Sequence, residues 1–228
     1  ADSLLEKRLD YAFSPERGYL TACPTNLGTG IRVSAMLHLP GLVLAEHINT
    51  IISSVNKLGL AVRGLYGEGT EALGNVFQVS NQMTLGDTEA AIVERLEKVL
   101  AQIIEHEENS RAVLLEKKPK MVYNHIGRAY GILANAHSIS SKETMNLLSL
   151  FRLGMDLELF PGVDRSLPDE LFILTQPAHL QKRYSDKLSA EERDVLRADM
   201  VRERLKQVSR PVTPPPAAPG AELDKPGK

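Results

Sequence analysis

Apolar and polar residues alternate with a period of two from Gly30 to Leu39. Ile31, Val33, Ala35, Leu37 and Leu39 fall on one side, and Arg32, Ser34, Met36 and His38 on the other, the pattern of a half-buried strand. Pro40 and Gly41 end it, and Pro40 suits the first turn of a helix, where its missing N–H has no partner to lose. Leu44, Ile48, Ile51, Ile52 and Val55 then recur at helical spacing. Leu60 to Tyr66 and Val76 to Ser80 read as two more strands, separated by the glycine-rich stretch Gly67-Glu68-Gly69-Thr70-Glu71. Such short returns favour antiparallel pairing, so this part is expected to be α+β, an antiparallel sheet with covering helices. Asp87 suits the N-cap of the next helix, whose stripe of Ile92, Val93, Leu96, Val99, Leu100, Ile103 and Ile104 is expected to lie on the sheet.

From about Ser110 the alternation stops, and residues 111 to 207 read as an all-α module. Ser140 with Glu143 and Ser189 with Glu192 are capping-box pairs that mark two helix starts. Pro161, Pro168 and Pro177 punctuate the loops. From Pro211 the chain is rich in proline and too poor in apolar residues to fold, so residues 208–228 are expected to be a disordered tail. The expected division is therefore 1–110, 111–207 and 208–228.

The 228 residues carry a net charge of -2, with basic and acidic side chains interspersed. No basic stripe is present, which argues against nucleic acid or an anionic membrane as partner. No apolar run is long enough to span a bilayer. The lone Cys23 can form no internal disulfide, which points to a reducing compartment, by default the cytoplasm. The six histidines show no ligand-like spacing with Cys or acids, so no protein-bound metal is expected, and His38 and His47 are expected at the surface. The chain opens on Ala1 within what looks like a domain, which suggests an incomplete or processed chain.

Cys23-Pro24-Thr25-Asn26-Leu27-Gly28-Thr29-Gly30 resembles the signature of the ATP:guanido phosphotransferases, the family of creatine and arginine kinases. Arg32 on the strand after it, Val62-Arg63-Gly64 on a later strand, the loop Gly67 to Glu71 and the strand Asn75 to Asn81 agree in order and spacing. The likeness covers residues 10 to 108 or so. It implies transfer of the γ-phosphoryl group of ATP, with Mg²⁺, to a guanidinium nitrogen. Such transfer rests mostly on positioning and charge neutralisation. Phosphate oxygens call for arginine's planar fork, a role that fits Arg32 and Arg63. The resemblance lays ATP along Arg32, Val33, Ser34, Ala35 and Met36, and along Arg63, Gly64, Leu65, Tyr66, Gly67 and Glu68. It makes Glu68 the loop carboxylate that holds the guanidinium and accepts its proton, with Glu71 a second loop carboxylate. It puts Cys23 beside the substrate guanidinium, a modulator with a lowered pKa rather than a nucleophile. Taken alone, Cys23 reads as a small buried hydrophobe, Arg32 as a solvated strand residue and Glu68 as a loop charge; the joint pattern carries the functional reading.

The region after residue 110 resembles the C-terminal domain of bacterial protein-arginine kinases. The likeness runs from Ser140 through Leu150-Phe151-Arg152-Leu153-Gly154, and from Leu174 to Ala198. Arg193-Asp194-Val195-Leu196-Arg197-Ala198 matches the Arg-Asp-x-x-Arg-Ala motif by which that family binds phosphoarginine and regulates the kinase. Charge-assisted bonds from arginine to the phosphoryl group and an aspartate for the guanidinium suit that ligand, whereas a solvated helix laced with ion pairs would show the same residue types. Arginine-bearing protein substrates, a zinc-binding activator protein, a heat-shock repressor, a Clp-type unfoldase and a homodimer are implied by the resemblance alone. Two other readings are a phosphagen kinase acting on a free guanidino compound and a non-catalytic phosphoarginine-binding adaptor. The family site also draws on residues that precede the Cys signature and are not recognisable here, so the chain by itself is expected to have little kinase activity.

Overall fold

The computed structural model describes residues 2–65, 72–185 and 187–212. A short helix, α1 (Asp2–Glu6), precedes a two-stranded ribbon of β1 (Phe13–Ser14) and β2 (Gly18–Tyr19). The Cys23 signature follows as a 3-10 turn over Pro24–Asn26. Then come β3 (Ser34–His38), α2 (Pro40–Leu44), α3 (Ile48–Lys57), β4 (Leu60–Gly64) and β5 (Val76–Asn81). The three strands form an antiparallel sheet in the order β3-β5-β4. Its register aligns Met36, Gln78 and Arg63 in one row and Ala35, Val79 and Val62 in the next.

Directly opposed residues share a face, so this register sorts the sheet. Phe77 and Val79 sit on the face that meets α2, α3 and a long helix, α4 (Glu89–Lys117). There they pack with Leu42, Ile52, Val55, Leu60, Leu96, Val99 and Ile103. The other face carries Ser34, Met36, Gln78, Ser80 and Arg63. The strand expected to begin at Gly30 is regular only from Ser34. Upstream of it the Asn81 side chain replaces the ladder, accepting from Val33 N–H at 2.8 Å and donating to Ile31 C=O at 3.1 Å.

Three local expectations change. The periodic run from Leu44 to Val55 breaks into α2 and α3 at Glu46, whose φ is 62°. The N-cap of α4 is Thr88, whose side chain accepts from Ala91 N–H, while Asp87 instead pairs with Arg95. The expected boundary after residue 110 falls inside α4, because the helix runs on to Lys117 and its buried stripe passes from Ile103 through Glu107 and Ser110 to Leu114.

Leu114 enters a second core. It is built by α5 (Pro119–Asn135), α6 (Ser141–Asp156), α7 (Ser166–Leu174), α8 (Pro177–Tyr184) and α9 (Ala190–Leu205). Val122, Ile126, Leu133, Leu148, Phe151, Phe160, Leu171 and Val201 fill it. Gly154 is required where α6 crosses α5, since a Cβ there would stand 2.6 Å from both Ile126 and Phe160. Both expected capping serines hold: Ser140 accepts from Glu143 N–H, and Ser189 with Glu192 forms the full reciprocal box. No helix among the described residues is long and apolar enough to cross a membrane.

The α6 helix also touches the sheet domain. Asn146 accepts from Gly74 N–H at 2.9 Å. Ser149 Oγ accepts from Asn75 Nδ2 and lies 2.8 Å from His38 Nε2. His38 is therefore not at the surface as expected: α6 covers that end of the polar sheet face. Burial first, then Arg152, Arg111 and Arg165, push its imidazole down to a pKa of about 3.

Candidate functional site

The open sheet face and the Cys23 turn adjoin each other. Thr84 Oγ1, just past β5, donates to Leu27 C=O at 2.7 Å and fastens the signature loop to the sheet. Within the turn, Cys23 is exposed and its Sγ lies 3.0 Å from Thr25 Oγ1. The Thr25 hydroxyl and then the Thr25 backbone N–H stabilise the thiolate and lower its pKa, with Arg32 a smaller contributor. The direction is the one the resemblance implies, and its leading cause is the neighbouring Thr25 hydroxyl.

Arg32 and Arg63 are both exposed. Arg32 Nη2 donates to Ser80 Oγ at 3.2 Å, and no ion pair among the described residues engages either guanidinium. Ser34 is held by Gln78 Nε2 at 3.1 Å, and Met36 stands half exposed in the row with Gln78 and Arg63. Val33 turns its side chain to the core, and Ala35 lies in the row with buried Val79, so along β3 only the alternate residues present side chains to the open face. Gly64 ends β4 opposite Phe77, and Leu65 N–H continues the ladder to Val76 C=O at 2.9 Å. Tyr66, Gly67, Glu68 and Glu71 lie outside the described residues. Chemically the face offers two guanidiniums without an ion-pair partner among the described residues, beside a thiol of lowered pKa, which suits phosphate oxygens and a substrate with a polar head.

The second expected site is at the start of α9. The Arg193 guanidinium donates to Leu188 C=O at 3.0 Å and is half-buried. Asp194 pairs with Arg197, and its backbone C=O accepts from Ile139 N–H. Arg197 is 1% exposed. It donates from Nε to Thr175 C=O and from Nη1 to Ile139 C=O, both at 2.8 Å. Arg197 and the buried Ala198 thus face inward, while Arg193 and Asp194 reach the surface. The apolar depression next to them is lined by Leu188, Glu191, Glu192, Val195 and Leu196, and its two carboxylates disfavour a phosphoryl group.

One polar cluster escaped the sequence reading. Glu107 is 4% exposed and accepts from Gly41 N–H and Leu42 N–H at 2.8 Å each and from Arg111 Nε at 2.5 Å. Arg111 continues to Asp156 at 3.0 Å, and Asp156 pairs with Arg165. The signal was available: Glu107 sits one turn after Ile103 on the apolar stripe of α4, where a charge needs a buried partner. Among the described residues no group of three His, Cys, Asp or Glu side chains could hold a metal ion.

Residues 1–110 match the ATP:guanido phosphotransferase C-terminal catalytic domain, and residues 119–215 match the C-terminal domain of the protein-arginine kinase McsB. Residues 1–110 of this chain belong to the ATP:guanido phosphotransferase family. A protein-arginine kinase of Bacillus licheniformis is 53% identical over 90% of this chain and 56% of its own length, and that of Bacillus subtilis is 50% identical over the same shares. The chain thus spans little more than half the length of the curated relatives it matches. The crystal structure of lombricine kinase is 33% identical over 49% of this chain and 30% of its own, with a TM-score of 0.41. The two matched segments meet near the C-terminal end of α4.

Proposed function

We propose that the protein to which this chain belongs transfers the γ-phosphoryl group of ATP to arginine side chains of proteins. The observation that carries this is the pair of guanidiniums, Arg32 and Arg63, that no ion pair among the described residues engages, on one open sheet face beside Cys23. In this reading they grip the phosphate oxygens bidentately and offset the charge of the transferring group. The strand from Val33 to Met36 and the segment from Gly64 to Gly67 line the nucleotide, with Ser34 and Met36 the side chains that face it. Mg²⁺ accompanies ATP on its phosphates, since the described residues offer arginines rather than carboxylates at this face.

Glu68 holds the substrate guanidinium in line and takes its proton as the N–P bond forms and the bond from phosphorus to the ADP oxygen breaks. The Cys23 thiolate, favoured by Thr25, sits against the guanidinium and orients it by charge, without forming a covalent bond. At α9, Arg193 and Asp194 bind phosphoarginine, while Arg197 holds Asp194 in position from inside the module and Ala198 packs in the core behind it. Phosphorylated proteins then pass to a Clp-type unfoldase, and a heat-shock repressor is one target. A zinc-binding activator protein, a homodimer and a cytoplasmic setting complete the proposal.

Calorimetric titration of the chain with phosphoarginine tests the reader half. Selective binding over arginine and phosphoserine is expected, weakened by both Arg193→Ala and Asp194→Ala. Binding that ignores both substitutions overturns the assignment at α9. In the full-length protein, Glu68→Gln is expected to abolish transfer while leaving phosphoarginine binding intact. Transfer that survives it overturns the catalytic role of Glu68.

A further inference from the structure

Between the sheet and the helical module lies a cavity of about 230 Å³. Its walls come from both sides: His38 from β3, Arg111 from α4, and Arg152, Asp156 and Arg165 from α6 and the loop after it. The space is several times the volume of one water, about 30 Å³. Three arginines reach one small space; of the carboxylates that line it, Glu107 and Asp156 are paired with arginine, and Glu108 stands at its exposed edge. Glu107 takes two backbone N–H groups and Arg111. Asp156 takes Arg111 and, 2.7 Å away, Arg165. Arg152 pairs through Nη1 with Asp169 outside the cavity.

Among the described residues two buried donors in this wall have no hydrogen-bond partner, and Asp156 Oδ1, ion-paired with Arg165, accepts no hydrogen bond either. One donor is Arg152 Nε–H. The other is His38 Nδ1, and its protonation follows from the hydrogen bonds around Ser149. Ser149 Oγ accepts from Asn75 Nδ2, so its own proton is available to His38 Nε2 at 2.8 Å. Nε2 is then the acceptor, and the ring proton sits on Nδ1 as a donor. The three arginines that depress the His38 pKa set a positive field at the same ring. Buried donors without acceptors, in a positive field, are the complement of an anion.

We propose that this junction binds a phosphate-type oxyanion, either inorganic phosphate or the phosphoryl group of a phosphorylated side chain, held by Arg152 Nε, His38 Nδ1 and the Arg165 guanidinium. Arg165 is the adaptable member: its side chain is 70% exposed and can turn from Asp156 to the ligand at the mouth of the cavity. Arg111 stays with its carboxylates and contributes charge. Because His38 belongs to the sheet and Arg152 and Arg165 to the helical module, the anion ties the two together. The proposal stands independently of phosphoarginine binding at α9, whose residues it does not use.

The test is calorimetric titration of the whole chain with inorganic phosphate at pH 7.5, in chloride buffer of matched ionic strength, and with phosphoarginine in an Arg193→Ala/Asp194→Ala background. Arg165→Gln removes the exposed guanidinium, and Arg152→Lys keeps the charge but removes the Nε donor; far-UV circular dichroism checks that both fold. Binding in either arm, weakened about tenfold or more by each substitution, is expected; which arm responds identifies the source of the phosphoryl group. Arg165 is exposed, so its variant decides the matter if Arg152→Lys unfolds. Absence of binding in both arms, or binding indifferent to Arg165→Gln, overturns the proposal and leaves the cavity to ordered water.

Discussion

His38 should make the protein lose stability in mild acid, by an amount that follows from its burial. Its folded pKa is about 3 against an ordinary value of 6.5. Above pH 6.5 the ring is neutral in both states and costs nothing. Between pH 6.5 and about 3 the unfolded chain takes up a proton that the folded chain refuses, so folding stability falls as pH falls. At about 1.4 kcal/mol per pH unit, the shift sets a ceiling near 5 kcal/mol, and at pH 5 the loss is about 2 kcal/mol relative to pH 8. The assay is urea unfolding of the wild-type chain and of His38→Gln at pH 8 and pH 5, in phosphate-free buffer so that no oxyanion enters the junction. Glutamine removes the titration and leaves the other ionisable groups in place. Its constant cost, from altered contacts with Ser149, appears at both pH values and cancels in the comparison. The wild-type advantage over His38→Gln should shrink by about 2 kcal/mol at pH 5. An advantage that is the same at both pH values would refute the burial of this ring under α6.

Three further outcomes are expected. Glu107→Ala should destabilise the chain by about 3–5 kcal/mol in chemical denaturation, because Arg111 and two backbone N–H groups lose their buried acceptor; a cost below about 1 kcal/mol would contradict that burial. Gly154→Ala should cost about 1–3 kcal/mol or more, since the added methyl meets Ile126 and Phe160 at 2.6 Å, and thermal melting would read it. Cys23 should react with iodoacetamide at neutral pH faster than an unperturbed thiol, and Thr25→Val should raise its pKa and slow it; equal rates for both chains would remove Thr25 as the activating group.

The three strands of the main sheet, the two capping serines and the division of labour between the sheet faces were legible in the sequence because they are set by spacing over a few residues; the ribbon of β1 and β2, two residues each, left no such pattern. Arg32 and Arg63 were identified by period and motif, and the register placed Arg63 on the polar row. What escaped was decided by partners far along the chain. His38 looks like a strand-surface residue until Ser149, 111 positions away, closes over it. The motif resemblance makes Arg197 a binding residue, yet its guanidinium is turned inward by the carbonyls of Ile139 and Thr175, which no local pattern announces. Glu107 is the intermediate case: its place in an apolar stripe advertised a buried charge, but not the start of α2 that it satisfies.

Transfer to protein arginine is tested most directly by giving the full-length protein labelled ATP and Mg²⁺ together with an arginine-containing protein and, separately, free arginine. The expected result is label on arginine side chains of the protein, lost on Arg63→Ala, with free arginine a poor acceptor. Efficient labelling of free arginine with none on protein would contradict the account and make the enzyme a small-molecule guanidino kinase.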